Sequence, residues 1–269
     1  MRRVIFTLLH DRGRFQLSRN FRLQGIGDMR WLLHNYDLPR VSRGLDELMV
    51  LDVTRGPRDT AAFASIVERI AGACFIPLTA GGGIASLDDA RTLLRHGADK
   101  LLVNTAFATD PTLCRTLADT FGRQCIVAGI DVQGTAGDYR VVTDRAGTPG
   151  TAPLATWVAH VQAHGAGELL FQSIDRDGTG MGLDLGIVDA LPARPDAPVI
   201  LMGGVGQEAH LRDGLRHPRV DAVATANLLN FIGGAFLEAR AALADAGVPV
   251  ARWDDADPAA LRGRFAEAA

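Results

Sequence analysis

Eight short apolar runs punctuate this chain, separated by stretches whose apolar residues recur at helical spacing. The runs are Val4–Leu9, Glu47–Val53, Ile76–Gly82, Lys100–Ala106, Cys125–Val132, Glu168–Ile174, Pro198–Gly204 and Asp221–Asn227. They are nearly continuous in aliphatic residues rather than alternating. Strands read that way when helices cover a parallel sheet. The helical stretches carry start signals. Asp59 and Thr60 open one, Ser86-Leu87-Asp88-Asp89 opens another, and Asp110-Pro111 supplies a cap and a first-turn proline to a third. A poorer helix is expected near Met29–Tyr36. Eight strand–helix units predict one closed (β/α)8 barrel, a TIM barrel, over residues 1–251. An open doubly wound sheet is the rival, but it would not normally repeat in two equal halves.

The chain does repeat. A shift of about 121 residues lays Phe75–Gly83 on Asp196–Gly204, Asn104–Ala106 on Thr225–Asn227, and Glu47 on Glu168. Half-barrels of about 1–122 and 123–251 follow from this match. Within one residue, the end of the first run (Leu9) meets the end of the fifth (Asp131). One half offers a carboxylate where the other offers an isobutyl group. Outside the repeat, Asp138–Arg145 reads as a hairpin over the active face, and Arg252–Ala269 as a charged, Ala-rich tail.

Composition narrows the function classes. A chain of 269 residues with 47% hydrophobic content and 30 glycines can bury a sizeable core and turn often. A net charge of −3 without a long basic run predicts no nucleic-acid and no membrane affinity. The three cysteines, Cys74, Cys114 and Cys125, are widely spaced and read as core residues in a reducing compartment. A soluble cytoplasmic protein is expected, since the N-terminal apolar run is too short for a signal core and no stretch reaches membrane-spanning length.

In a barrel of this kind the site lies at the C-terminal strand ends. Gly82 and Gly83 with Asn104 and Thr105 could cradle one phosphate through backbone N–H groups. Gly203 and Gly204 with Ala226 and Asn227 could cradle a second, beside Asp177, Gly178 and Thr179. The pairing suits an elongated substrate with a phosphate at each end; turn geometry alone is the plain alternative. Asp131 ends an apolar run, where an acid is paired, solvated or functional; it is the candidate catalytic carboxylate, with capping of the following loop as the structural alternative. At the opposite ends, Arg3, Glu47, Lys100 and Glu168 precede strands one, two, four and six with alternating sign. They form either a structural salt-bridge plug or a polar constriction for a small molecule entering from below. His10 could face the site or pack in the core. His160 and His164 have a metal-compatible spacing but no third ligand, so no metal and no cofactor are expected.

LDELMVLDVT, FIPLTAGGGI, GADKLLVNTA, GIDV and GAGELLFQSIDRDGTGMG, in that order, resemble the cyclase subunit of imidazole glycerol phosphate synthase, HisF. The resemblance runs from Arg3 to about Ala251. It implies a lyase-type barrel that partners a glutaminase subunit and receives ammonia through its lumen. It identifies Arg3, Glu47, Lys100 and Glu168 with the ammonia gate and Asp99 with a residue at the subunit interface. It implies two catalytic aspartates, one at Asp131 and one where this chain has Leu9. Leu17 stands where the family's mobile first loop has a lysine. Gln172, Met202 and Asn227 stand where pocket hydroxyls are usual. At Leu9 the chain resembles a side branch of paralogues that, with a glutaminase partner and a third, synthetase-like protein, supply ammonia for amidation of a sugar in surface-polysaccharide synthesis. Three readings therefore stand: that branch, the histidine-pathway cyclase itself, and a non-catalytic barrel that regulates a glutaminase. The related sugar-phosphate isomerase of the same pathway is disfavoured, because it needs two aspartates and no gate.

Overall fold

The computed structural model describes residues 1–144, 148–227, 231 and 233–251. The charged tail expected over 252–269 lies outside the described residues. Eight parallel strands close a barrel: β1 (Arg3–Asp11), β2 (Glu47–Asp52), β3 (Leu78–Gly81), β4 (Lys100–Val103), β5 (Ile126–Gln133), β6 (Glu168–Ser173), β7 (Val199–Met202) and β8 (Ala222–Thr225). Each pairs with the next, β5 pairs with β6, and β8 returns to β1, so no barrel edge is left open. This is a (β/α)8 barrel, as the run pattern predicts.

Alternation along the strands explains both cores. Val4, Phe6 and Leu8 of β1 join the outer layer under the helices. Ile5 turns inward to meet Met49, Val127, Leu170, Ile200 and Ala222. The helices start where their caps predict. Asp59 accepts from Ala62 N–H, Ser86 from Asp89 N–H and Asp110 from Leu113 N–H. Each such cap stabilises by about 1 kcal/mol. The final helix, Ala235–Asp245, returns to the chain start. Its Arg240 forms a bidentate pair with Asp46 at 2.7 and 3.0 Å, and Phe236 packs 4.8 Å from Phe6.

Two hairpins decorate the C-terminal mouth. One follows β5, with strands Arg140–Thr143 and Thr148–Pro153, near the expected position. The other follows β1, with strands Arg14–Arg19 and Arg22–Gly27. The second was not anticipated. Its two-residue turn is Asn20-Phe21, both at positive φ (48° and 61°), where a glycine-containing pair is the usual signal. Burial pushes the Cys74 thiol up to about 11, in keeping with a core role. Among the described residues no helix is long and apolar enough to cross a membrane.

Candidate functional site at the barrel mouth

The β1 hairpin folds back over the mouth and latches onto the loop after β6. Asn20 N–H donates to the Asp177 carbonyl at 3.0 Å, and Phe21 N–H donates to the Asp177 carboxylate at 3.0 Å. The Ser18 hydroxyl donates to the same carboxylate, and the Gln172 amide donates to its other oxygen at 3.3 Å. Burial nonetheless keeps the Asp177 pKa above the usual carboxylate range. A Cβ at Gly178 would lie within 2.2 Å of the Ser18 carbonyl, so glycine there admits the hairpin to contact distance. Gly178, a candidate phosphate contact by its sequence position, thus also has a docking role. Thr179 lines neither chamber described below, and its hydroxyl donates to the Arg176 carbonyl at 2.7 Å.

The latched hairpin leaves two chambers. The first holds about 410 Å³ and the second about 190 Å³. Gly82, Gly83, Asn104 and Thr105 line the first with Asp131; Gly178, Gly203, Gly204, Ala226 and Asn227 line the second, and Asp177 lies between. Both proposed cradles therefore open into cavities. Close packing also demands glycine in them. A Cβ at Gly82 would approach the Asp52 carbonyl to 2.1 Å, and one at Gly204 the Gly182 carbonyl to 2.2 Å.

Asp131 is buried in the first chamber, whose floor is Leu9, Leu51, Leu102, Leu170 and Met202. Burial drives its pKa up to about 7. The Asn104 amide, donating at 2.9 Å, opposes the shift, and the Asp177 charge adds to it. A carboxyl that titrates near neutrality can both give and take a proton. The other acids on this wall with a described partner are engaged elsewhere. Asp52 accepts from Thr54 N–H at 2.9 Å and lies 3.6 Å from Arg58, and Asp110 caps its helix.

Leu9 lines the same chamber, facing inward. His10 faces outward. Its ring packs 5.8 Å from Phe15 and 5.7 Å from Phe63, and its Nε2 accepts from Gly13 N–H at 3.0 Å. Burial holds its pKa down against the pull of Asp52 and Asp11. Of the two readings left open for His10, packing is the one realised. His160 likewise serves structure, with Nε2 2.8 Å from the Phe107 carbonyl and a ring stacked on Trp157. Among the described residues there is no cluster of metal-ligating side chains.

At the other end of the barrel the four charges close a ring. Arg3 reaches Glu47 at 2.9 Å and Glu168 at 3.0 Å; Lys100 reaches both glutamates at 2.9 Å. Thr79 adds a hydroxyl to Glu47. Burial works against the Arg3 charge, but Glu168 and Glu47 outweigh it and raise the guanidinium pKa. Asp99 lies exposed next to Lys100 and accepts from Leu78 N–H at 2.8 Å.

Residues 33–233 match the family described as histidine biosynthesis protein. The chain is 40% identical over 253 residues to a Parasynechococcus marenigrum (strain WH8102) protein provisionally named imidazole glycerol phosphate synthase subunit hisF2, covering 94% of each. It is 42% identical over 253 residues to the imidazole glycerol phosphate synthase subunit HisF of Frankia casuarinae (strain DSM 45818 / CECT 9043 / HFP020203 / CcI3), covering 92% of this chain and 98% of that one. The chain belongs to the HisF family.

Against that family background, the departures noted in the sequence have defined surroundings. Leu17 lines the second chamber, as do Met202 and Asn227. Met202 accepts a 3.8 Å contact from the Thr7 hydroxyl, and Asn227 N–H donates to Thr225 Oγ1 at 3.2 Å. Gln172 lines the first chamber and serves the Asp177 latch.

Four arginines were missed by reading strand ends alone. Arg55 and Arg58, in the loop after β2, line the first chamber beside the Gly82-Gly83 turn. Arg55 donates to the Phe21 carbonyl at 2.8 Å, a second tether for the hairpin. Arg58 lies over Gly83, and among the described residues its buried Nε makes no hydrogen bond, only the 3.6 Å ion pair with Asp52. Arg19 and Arg22 line the second chamber from the hairpin. Every loop on the C-terminal face can contribute to a barrel site, so scanning whole loops for cations would have found all four.

Proposed function

We propose that this HisF-family chain is the ammonia-using synthase subunit of a glutamine amidotransferase complex, and that it delivers ammonia to an acceptor other than the histidine-pathway ribonucleotide, such as a sugar in surface-polysaccharide synthesis. A glutaminase subunit is the partner at the gate end, with Asp99 in its interface. A phosphorylated small molecule occupies the mouth.

The observation that carries this reading is the pairing of a complete charge ring with an incomplete acid pair. Arg3, Glu47, Lys100 and Glu168 supply the polar entrance. Above them Ile5, Met49, Val127, Leu170 and Ile200 form an apolar lumen. Neutral ammonia crosses such a lumen far more readily than ammonium, which would lose its hydration without a counter-ion. At the top, ammonia adds to a carbonyl-type carbon of the acceptor, the C=O π bond breaks with its electron pair going to oxygen, and Asp131 takes the proton that the new C–N ammonium releases. Cleavage and ring closure of the ribonucleotide call on a second acid or base, and Leu9 cannot provide one.

The second reading is the histidine-pathway reaction, favoured by 40–42% identity to HisF-named relatives, of which one is a HisF and the other a hisF2. The deciding experiment supplies purified chain with ammonium and the bis-phosphorylated ribonucleotide. Removing a general acid or base costs about 10²–10⁴-fold, so little imidazole glycerol phosphate is expected. Turnover at the rate of a two-aspartate HisF would move the assignment to histidine synthesis. A barrel that stimulates its glutaminase but transfers nitrogen to no acceptor would instead be a regulator.

A further inference from the structure

Arg19 and Arg22 face each other across the hairpin that covers the mouth. They are direct cross-strand partners on either side of the Asn20-Phe21 turn. Directly opposed residues of an antiparallel pair project to the same face, and like charges so placed repel. Among the described residues neither arginine has a carboxylate partner. Asp177 is nearest in kind, but its carboxylate is taken by Ser18, Phe21 N–H and Gln172. Both arginines line the second chamber together with Gly203 and Gly204, which are at positive φ (102° and 94°). A glycine turn and an unneutralised pair of guanidinium groups lining one chamber define a site for a small, doubly charged anion.

We propose that Arg19 and Arg22 form a hairpin-borne clamp for a terminal phosphate dianion of the substrate, seated on the Gly203-Gly204 turn. The inference rests on the phosphorylated-substrate reading above and assigns one end of that substrate to particular residues. Leu17, on the same hairpin, contributes only an apolar wall. The anion does more than add contacts. It removes the repulsion that opposes hairpin closure, so the mouth shuts most firmly on a charged end. A neutral or singly charged end leaves the two arginines in conflict.

The test uses the full chain labelled with ¹⁵N-glycine and titrated with inorganic phosphate. Gly203 and Gly204 report the second chamber; Gly82 and Gly83 report the first and serve as an internal control. In the unaltered protein the Gly203 and Gly204 signals are expected to move. In the Arg19→Gln/Arg22→Gln variant their midpoint is expected to rise roughly tenfold or more, as for loss of charge-assisted hydrogen bonds, with the Gly82 and Gly83 response retained. Arg22→Gln alone gives the same test with a smaller shift, should the double variant fail to fold. Unaltered midpoints for Gly203 and Gly204 in the variant would overturn the clamp. So would a response confined to Gly82 and Gly83 in the unaltered protein. Absence of any phosphate response at both turns would overturn the phosphorylated-substrate reading itself.

Discussion

Leu9 and Asp131 stand on equivalent rungs of the two half-barrels. Leu9 is paired with Leu51 on the neighbouring strand, and Asp131 is paired with Gln172. The correspondence extends one strand the other way. Asn104 donates to Asp131 from the end of β4. Strand register, in which Leu102 pairs with Val127 as Ala224 pairs with Ile5, puts Ala226 at the matching position at the end of β8, one residue beyond the Thr225 of the sequence match. The Leu9 side of the mouth therefore lacks both the acid and the amide that would orient it.

Leu9→Asp alone should recover only a small part of the about 10²–10⁴-fold associated with an acid or base. The new carboxyl would sit beside Leu51 with no amide to hold it. Adding Ala226→Asn should raise turnover of the bis-phosphorylated ribonucleotide above the single variant. Full family-like turnover from Leu9→Asp by itself would show that nothing else in the mouth has been retuned.

Asp131→Asn should alter the pH dependence of folding in a defined direction. The native state holds this carboxyl at about 7, well above its unfolded value. Native Asp131 therefore keeps its proton more tightly than the unfolded chain does. Its contribution to stability is present at acid pH, declines as pH rises towards 7, and is constant above. The amide variant escapes that decline. It should gain stability relative to the parent by a few kcal/mol between pH 4.5 and pH 8, at about 1.4 kcal/mol per pKa unit. Urea unfolding at the two pH values measures it, and an equal difference at both would mean the carboxyl titrates normally.

Asp177→Ala should release the hairpin. Phe21 sits at φ 61°, a left-handed conformation that is unfavourable for a bulky side chain, and the Asp177 carboxylate holds its N–H there. Losing that bond should cost about 1–3 kcal/mol locally. Hydrogen exchange across residues 14–27 should accelerate while the barrel strands stay protected. Exchange as slow as in the parent would assign the hairpin's closure to Arg55 and packing instead.

Lys100→Met should break the charge ring without touching the mouth. Glu47 and Glu168 would then share only Arg3, at a cost of about 3 kcal/mol. With the glutaminase present, glutamine-driven transfer should fall relative to transfer driven by added ammonium. A parallel fall in both would make the ring a structural plug rather than an entrance.

Barrel, strand order and main capping residues were legible because each rests on local chemistry. Continuous aliphatic runs mark covered strands, and Asp59, Ser86 and Asp110 mark helix starts. The β1 hairpin was not legible. Its strands are Arg-rich rather than continuously aliphatic, and its turn uses Asn20-Phe21, whose N–H groups donate to Asp177, about 150 residues away in the chain. For the same reason the arginines at 19 and 22 could not be placed. Which way His10 faces was a matter of strand parity, which one run of apolar residues does not disclose.

That parity has a chemical consequence. β1 is aligned with β2 over six consecutive pairs, from Ile5–Glu47 to His10–Asp52. A slip of one step would exchange the two sides of the strand, carrying Leu9 out under the helices and an imidazole into the mouth to confront Asp131. The difference between a mouth with one proton-transfer group and a mouth with two is a single increment of strand alignment, and the same pairs that hold the barrel together forbid it.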